Sequence, residues 1–186
     1  TIIMQVQAMK RMVNDFSDYA RLPPPELVAL DLNALIAEVL GLYENSRAQI
    51  KAKLASKLPA VWGDATQLRQ IIHNLLRNAE DAQEAVDAPC ITLTTRRADS
   101  MAELVVSDRG PGFPAEILSR VFEPYVTTKT RGTGLGLAIV KKIVDEHHGR
   151  ITINNRQPTG AEVSITLPLA ALPAVNRRPS KLPSET

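Results

Sequence analysis

The sequence predicts a mixed α and β domain in which an open sheet is backed by helices on one face. Three observations lead there. Leu68, Ile71, Ile72, Leu75, Leu76 and Ala79 recur at helical spacing and give one long helix a broad apolar face. Ala161, Val163, Ile165 and Leu167 alternate with other residues, as in a strand with one buried side. Strand and helix signals do not alternate regularly along the chain, which disfavours a doubly wound parallel sheet.

The elements begin with TIIMQVQAMKRMVNDFSDYARL, where Ile2, Val6, Met9, Val13, Phe16 and Ala20 recur at spacings of four and three. That pattern predicts a coiled-coil seam facing a partner helix, in preference to an amphipathic helix lying on its own domain. Leu22 is followed by Pro23, Pro24 and Pro25, and each proline fixes its own φ and biases the residue before it away from helix. Residues 23–26 are therefore expected as a stiff hinge. Residues 33–46 read as a helix, and Ile50, Ala52 and Leu54 alternate as in a half-buried strand. Asp64 is the expected N-cap of the long helix, which should run to about residue 86. Two strands follow, ITLTT from Ile91 and AELVVSD ending at Asp108. A short helix near residues 114–121, a glycine-rich loop, a helix over 135–146 and the strands ITIN and AEVSITL complete the pattern. Beyond Pro168 the composition turns to Pro, Arg, Ser and Lys, so residues 171–186 are expected as a disordered tail.

Length and composition narrow the function. At 186 residues the chain suits one well-packed domain with appendages. Its net charge is only +2, both signs are spread along it, and aromatic residues make up 4%, so no nucleic-acid surface is indicated. Cys90 stands alone and is expected as a buried, inert thiol, which fits a reducing compartment. No apolar run is long enough to cross a bilayer, and the chain is read as soluble, without membrane contact. It opens on Thr1 in mid-pattern, as expected of a piece of a longer protein.

Chemistry concentrates around KTRGTGLGLA, residues 129–138. This is not a P-loop, which needs Gly-Lys-Ser/Thr, nor a dinucleotide fingerprint, which needs GxGxxG directly after a strand. What remains is a loop feeding a helix N-terminus, where backbone N–H groups and the helix dipole favour an anion that Lys129 can also reach. Alone, it reads equally well as a plain helix entry. Asn74 and Asn78, four residues apart, share a helix face; amide oxygens suit Mg²⁺, although the pair by itself reads as two solvated residues. Asp108 ends a strand before the turn Gly110-Pro111-Gly112; it could accept the amine of an adenine, or simply belong to an ordinary Asp-Gly turn.

In order, DATQLRQIIHNLLRNAEDA, VSDRGPGF, VFEPYVTTK and GTGLGLAIV resemble the N, G1, F and G2 boxes of the catalytic domain of sensor histidine kinases. The resemblance covers residues 27–169, and HHGRITINN with GAEVSITLP is similar to the family's closing helix end and hairpin. RMVNDFSDYARLPPPE resembles the nitrogen-regulation, NtrY-like group. The resemblance implies the two-layer α/β sandwich shared by gyrase, the MutL repair ATPase and histidine kinases (the Bergerat or GHKL fold), with a mainly antiparallel sheet, helices on one face and a preceding helical segment. Residues 1–22 would be the C-terminal part of the second dimerisation and phosphotransfer helix, 27–170 the ATP-binding catalytic domain.

Carried over residue by residue, Asn78 would ligate Mg²⁺, Asn74 would assist near the phosphates, and Asp108 would read adenine in a pocket shaped by Gly110, Gly112 and Phe113. Thr130, Gly132, Thr133, Gly134, Leu135, Gly136 and Leu137 would wrap the triphosphate beside Lys129. A lid over 113–132 would carry Phe122 and Tyr125 as apolar anchors. Asn74, Asn78 and Lys129 would be the catalytic set, because phosphoryl transfer asks chiefly for positioning and charge neutralisation.

The resemblance further implies ATP and ADP as ligands and a cytoplasmic location within a membrane-anchored bacterial sensor. Its implied partners are a histidine-bearing acceptor domain of the same full-length protein, a response regulator, and a second copy in a full-length homodimer. Three departures stand out. His73, His147 and His148 all lack the His-Glu-x-x-Asn-Pro context of an acceptor; Asp81 stands where many members carry Lys or Arg; Ala161 stands where related ATPases carry threonine. In hydrolytic relatives a glutamate activates water at the position of Asn74, which cannot act as a base, so a low ATPase rate is expected. Two alternatives remain, a hydrolytic ATPase clamp of the same fold and an anti-sigma-type serine kinase or nucleotide-binding interaction module.

Overall fold

The computed structural model describes residues 6, 9, 10, 13, 16, 17, 19–129 and 132–170. In chain order the elements are β1 (Val28–Leu30), α1 (Leu32–Gly41), β2 (Gln49–Lys53), β3 (Val61–Gly63), α2 (Ala65–Ala82), β4 (Cys90–Ala98), β5 (Met101–Ser107), α3 (Ala115–Leu118), α4 (Gly136–Glu146), β6 (Arg150–Asn155) and β7 (Ala161–Pro168). Five strands form one sheet in the order β2-β4-β5-β7-β6. Only β2 pairs parallel, with β4; the other ladders are antiparallel. β1 and β3 make a separate two-stranded sheet. The mixed, mainly antiparallel sheet agrees with the expectation.

The core lies between the sheet and α1, α2 and α4. Along β7 the residues alternate between buried and half-buried, and Val163, Ile165 and Leu167 join one apolar cluster with Ile36, Ile72, Leu76 and Ile143. Burying the α2 face is what holds that helix, since isolated helical turns are marginal in water. Asp64 caps it as predicted: Oδ1 accepts from the N–H groups of Thr66 and Gln67 at 2.9 and 3.1 Å. The helix stops at Ala82, short of residue 86, because Gln83 terminates it. The buried Gln83 amide donates to Ala79 O at 3.0 Å and accepts from Cys90 N–H at 2.8 Å, tying the helix end to the start of β4. Similarly α1 ends at Gly41 and passes into turns, where Leu42 and Tyr43 donate to Val39 O and Leu40 O. β4 is longer than the predicted ITLTT and turns tightly into β5 through Asp99, at φ 53. The β1–β3 pair had no periodicity long enough to announce it. Cys90 is buried, as expected.

At the N-terminus the described residues from Val6 to Ala20 are helical; Ile2 lies outside the described residues. Val6, Met9, Val13 and Phe16 of the expected seam stand more than half exposed. The proline stretch is tethered rather than free. Gln67 donates to Pro23 O at 2.8 Å, Glu26 N–H donates to Asp64 at 3.0 Å, and Lys142 donates to Tyr19 O at 3.2 Å. Among the described residues no helix is long and apolar enough to cross a membrane.

Candidate functional site

A cavity of about 300 Å³ opens between α2, the end of β5, the start of β7 and the loop that leads into α4. The α2 wall carries Asn74 and Asn78. They are not the solvated pair that their spacing alone suggests. The apolar face of α2 is broad enough to draw both flanking amides inward, where they are half-buried beside Leu75 and Ala79. Gly136, the first residue of α4, lies against them: a Cβ there would sit 3.6 Å from Asn74 Oδ1 and from Asn78 Nδ2. Among the described residues no side chain caps α4, and the N–H groups of its first turn are of the kind that favour an anion.

Asp108 forms the deep end, 7% exposed and one residue beyond β5. Its Oδ1 accepts from Gly110 N–H at 2.8 Å and Ala161 N–H at 3.2 Å, which leaves Oδ2 to accept from a ligand. Burial pushes its pKa up; the two backbone N–H groups, Arg156 and Lys129 pull against that. Gly112 follows at φ 79, and a Cβ on it would meet Asn155 Oδ1 at 2.6 Å. Asn155 clamps this turn with both ends of its amide, accepting from Phe113 N–H and donating to Phe113 O at 2.8 Å each. Thr159 closes the turn from the other side, donating to Gly110 O at 2.6 Å. Neither Asn155 nor Thr159 was foreseen, since each acts on a turn 42 or 49 residues away. Ala161 lines the cavity with its methyl group and offers no hydroxyl.

The opposite wall is the loop that follows, from residue 114 onward. Ile117, Val121 and Val126 line it, an apolar contribution that motif matching overlooked. Phe122 packs on the core, whereas the Tyr125 side chain is 56% exposed. Tyr125 holds φ 67, unusual for a bulky residue, and its N–H donates to Gly134 O at 3.1 Å. Gly134 in turn sits at φ 69, with the Tyr125 carbonyl carbon 2.6 Å from where a Cβ would stand. Gly132, Thr133, Gly136 and Leu137 line the cavity, whereas Leu135 is a fully buried core residue whose side chain is not at the cavity. Only its backbone could touch a ligand there. Thr130 lies outside the described residues.

Lys129 bridges the two walls. Its Nζ lies 3.0 Å from Asp81 Oδ2, 3.4 Å from Asn78 Oδ1 and 3.5 Å from Asn78 O. Among the described residues no three His, Cys, Asp or Glu side chains gather as a metal cage. Asn78 Oδ1 instead offers a single amide oxygen at the cavity, which suits an ion such as Mg²⁺ that takes few protein ligands and completes its shell with water and phosphate. The histidines have other tasks. His147 is buried, accepting from Asp64 N–H at 3.0 Å and bonding Ile143 O at 2.8 Å, while His73 bonds the Tyr43 hydroxyl at 3.1 Å.

A profile of the family "Histidine kinase-, DNA gyrase B-, and HSP90-like ATPase" matches residues 63–171. An NtrY-like protein of Rickettsia conorii is 36% identical over 92% of this chain and 29% of its own length. The nitrogen regulation protein NtrY of Azorhizobium caulinodans is 36% identical over 90% of this chain and 23% of its own. The chain thus spans under a third of these relatives. Among solved structures, full-length ShkA in complex with AMPPNP superposes with a TM-score of 0.75 at 31% identity, over 86% of this chain and 35% of that one. The histidine kinase ThkA in complex with the response regulator protein TrrA gives 0.73 at 27% identity, over 89% of this chain and 48% of that one.

Proposed function

Since this chain belongs to the family of histidine kinase-, DNA gyrase B- and HSP90-like ATPases, we propose that it is the ATP-binding catalytic part of an NtrY-like sensor histidine kinase. It passes the γ-phosphoryl group of ATP to a histidine of an acceptor domain in the full-length protein, for relay to a response regulator. The observation that carries this reading is the convergence of Asp108, Asn74, Asn78, Lys129 and the uncapped α4 N-terminus on one cavity. Asp108 Oδ2 accepts from the adenine amine. Its two backbone bonds hold the carboxylate in place before ligand arrives, which is worth more than a flexible acceptor. The N–H groups of the first α4 turn and Lys129 receive the phosphates. Asn78 Oδ1 would hold Mg²⁺, which when bound would neutralise phosphate charge. Asn74 orients the phosphate end and supplies no base, so water is poorly activated and the protein nucleophile is favoured over hydrolysis.

Residues 1–22 belong to the helix that joins the acceptor domain and pairs with a second copy, 23–26 form the connecting hinge, and 27–170 form the catalytic domain. The location is the cytoplasmic side of a membrane-anchored sensor. Labelled ATP supplied with the acceptor domain should transfer its label to histidine. Tight nucleotide binding without histidine label would overturn the reading, and ATP turnover at the rate of a hydrolytic clamp would overturn the role given to Asn74.

A further inference from the structure

The ion pair between Lys129 and Asp81 asks for an explanation, because Lys129 is the cation expected on the triphosphate. Its ammonium is held instead by the Asp81 carboxylate at 3.0 Å and by Asn78 Oδ1 at 3.4 Å. Asn78 and Asp81 are three residues apart on α2 and so reach the same point from one face. The amide and carboxylate oxygens both accept, and the Lys129 ammonium, with three donors and no acceptor, satisfies them together. Asp81 sits on a helix pinned by the core, whereas Lys129 sits in the loop, at whose start its own N–H donates to Thr127 Oγ1 at 3.1 Å and its carbonyl accepts from Gly132 at 3.2 Å. The side chain of Lys129 is 33% exposed and that of Asp81 47%, so the contact is screened but not fully solvated.

We propose that Asp81 is a latch for Lys129: without nucleotide its carboxylate holds the Lys129 ammonium at Asn78 Oδ1, in the place that a magnesium-bound triphosphate would claim. Nucleotide therefore has to break this ion pair to bind. The inference rests on the ATP-binding reading above. It names a positioning role for Asp81, which acts on nucleotide only through Lys129. The positive charge passes from carboxylate to phosphate, so the Lys129 ammonium is paired in either state and unpaired only during the exchange. A partly exposed ion pair is a weak latch, which suits a ligand that must enter and leave.

The Asp81→Asn variant keeps the shape and removes the charge. Its expected effect is ATP binding about two- to fivefold tighter, the range for a partly exposed ion pair, measured with a fluorescent nucleotide with and without Mg²⁺. Hydrogen exchange at residues 127–129 and 132–134 of the empty protein should become faster than in the wild type, and the difference should vanish at saturating ATP. Plain repulsion between Asp81 and the phosphates would also tighten binding, so the substitution is repeated on Lys129→Met. Loss of most of the Asp81→Asn effect on that background supports the latch, and an undiminished effect overturns it. Equal exchange in the two empty proteins also overturns it. If wild-type protein binds no ATP, the nucleotide reading fails, and the exchange comparison in the empty protein still decides the latch.

Discussion

The two walls of the cavity are held in different ways. On one side Asp108, Gly110, Phe113 and Ala161 are locked by backbone and amide hydrogen bonds of 2.8 to 3.2 Å, and α2 stands on fully buried Ile72 and Leu76. On the other, the loop into α4 depends on Val121 and Phe122 against the core, a left-handed Tyr125 bonded to Gly134, and the Lys129–Asp81 pair. The Asp108 end is thus preformed, and the Lys129 end is cheap to rearrange. A site divided in this way reads its ligand with a rigid half and admits it through a soft one, because local opening draws on the least stable contacts.

Substitutions should separate the walls. Leu76→Ala removes buried methyl groups beneath the rigid wall, and urea unfolding should show a loss of ~2–5 kcal/mol. Asp108→Ala leaves the N–H groups of Gly110 and Ala161 unpaired in a buried setting. Stability should fall by ~1–3 kcal/mol, with nucleotide affinity weakened at least ~10-fold in the same protein. Gly134→Ala places a Cβ against the Tyr125 backbone in a left-handed conformation, a cost of ~1–2 kcal/mol. Because the soft wall can open locally, that cost should be read as weaker nucleotide binding, with the urea midpoint nearly unchanged. A global loss as large as that of Leu76→Ala would mean that the walls form one cooperative unit.

The smallest effect expected is on pH, and it acts on the rigid wall. Burial holds the His147 imidazole below its usual pKa, its neutral Nε2 being needed as acceptor for Asp64 N–H at the α2 cap. His73 is lowered too, by burial and then by Arg69. Since the folded-state values lie below the unfolded ones, this contribution is complete above about pH 6.5 and is lost as pH falls through the folded-state values. Denaturant midpoints should therefore drop between pH 7 and 5, and less steeply in His147→Gln. A pH-independent midpoint over that window would remove the role assigned to the His147–Asp64 contact.

Much of the rigid wall was legible. The apolar spacing of α2, the Asp64 cap and the strand-end Asp108 are local patterns, each decided within a few residues of sequence. What escaped reading is nonlocal. Asn155 was only the polar end of a strand, Gln83 stood inside the expected helix, and Tyr125 was expected as a lid anchor with no sign of its left-handed backbone. Their roles come from partners or conformations that no spacing encodes. Leu135 shows the converse: a place in a motif string does not say whether a side chain faces the cavity or the core, and here it faces the core.

By itself, then, the sequence determined the longer helices and strands and their buried faces, and placed Asn74, Asn78, Asp108 and Lys129 in one motif string, because periodicity and capping act over one or two turns. The tertiary structure alone decided which wall is rigid, where Lys129 rests and how the proline stretch is tethered. Those outcomes depend on pairs such as Lys129 with Asp81 and Gln67 with Pro23, 48 and 44 residues apart. Their closeness exists only after the core has drawn the helices onto the sheet.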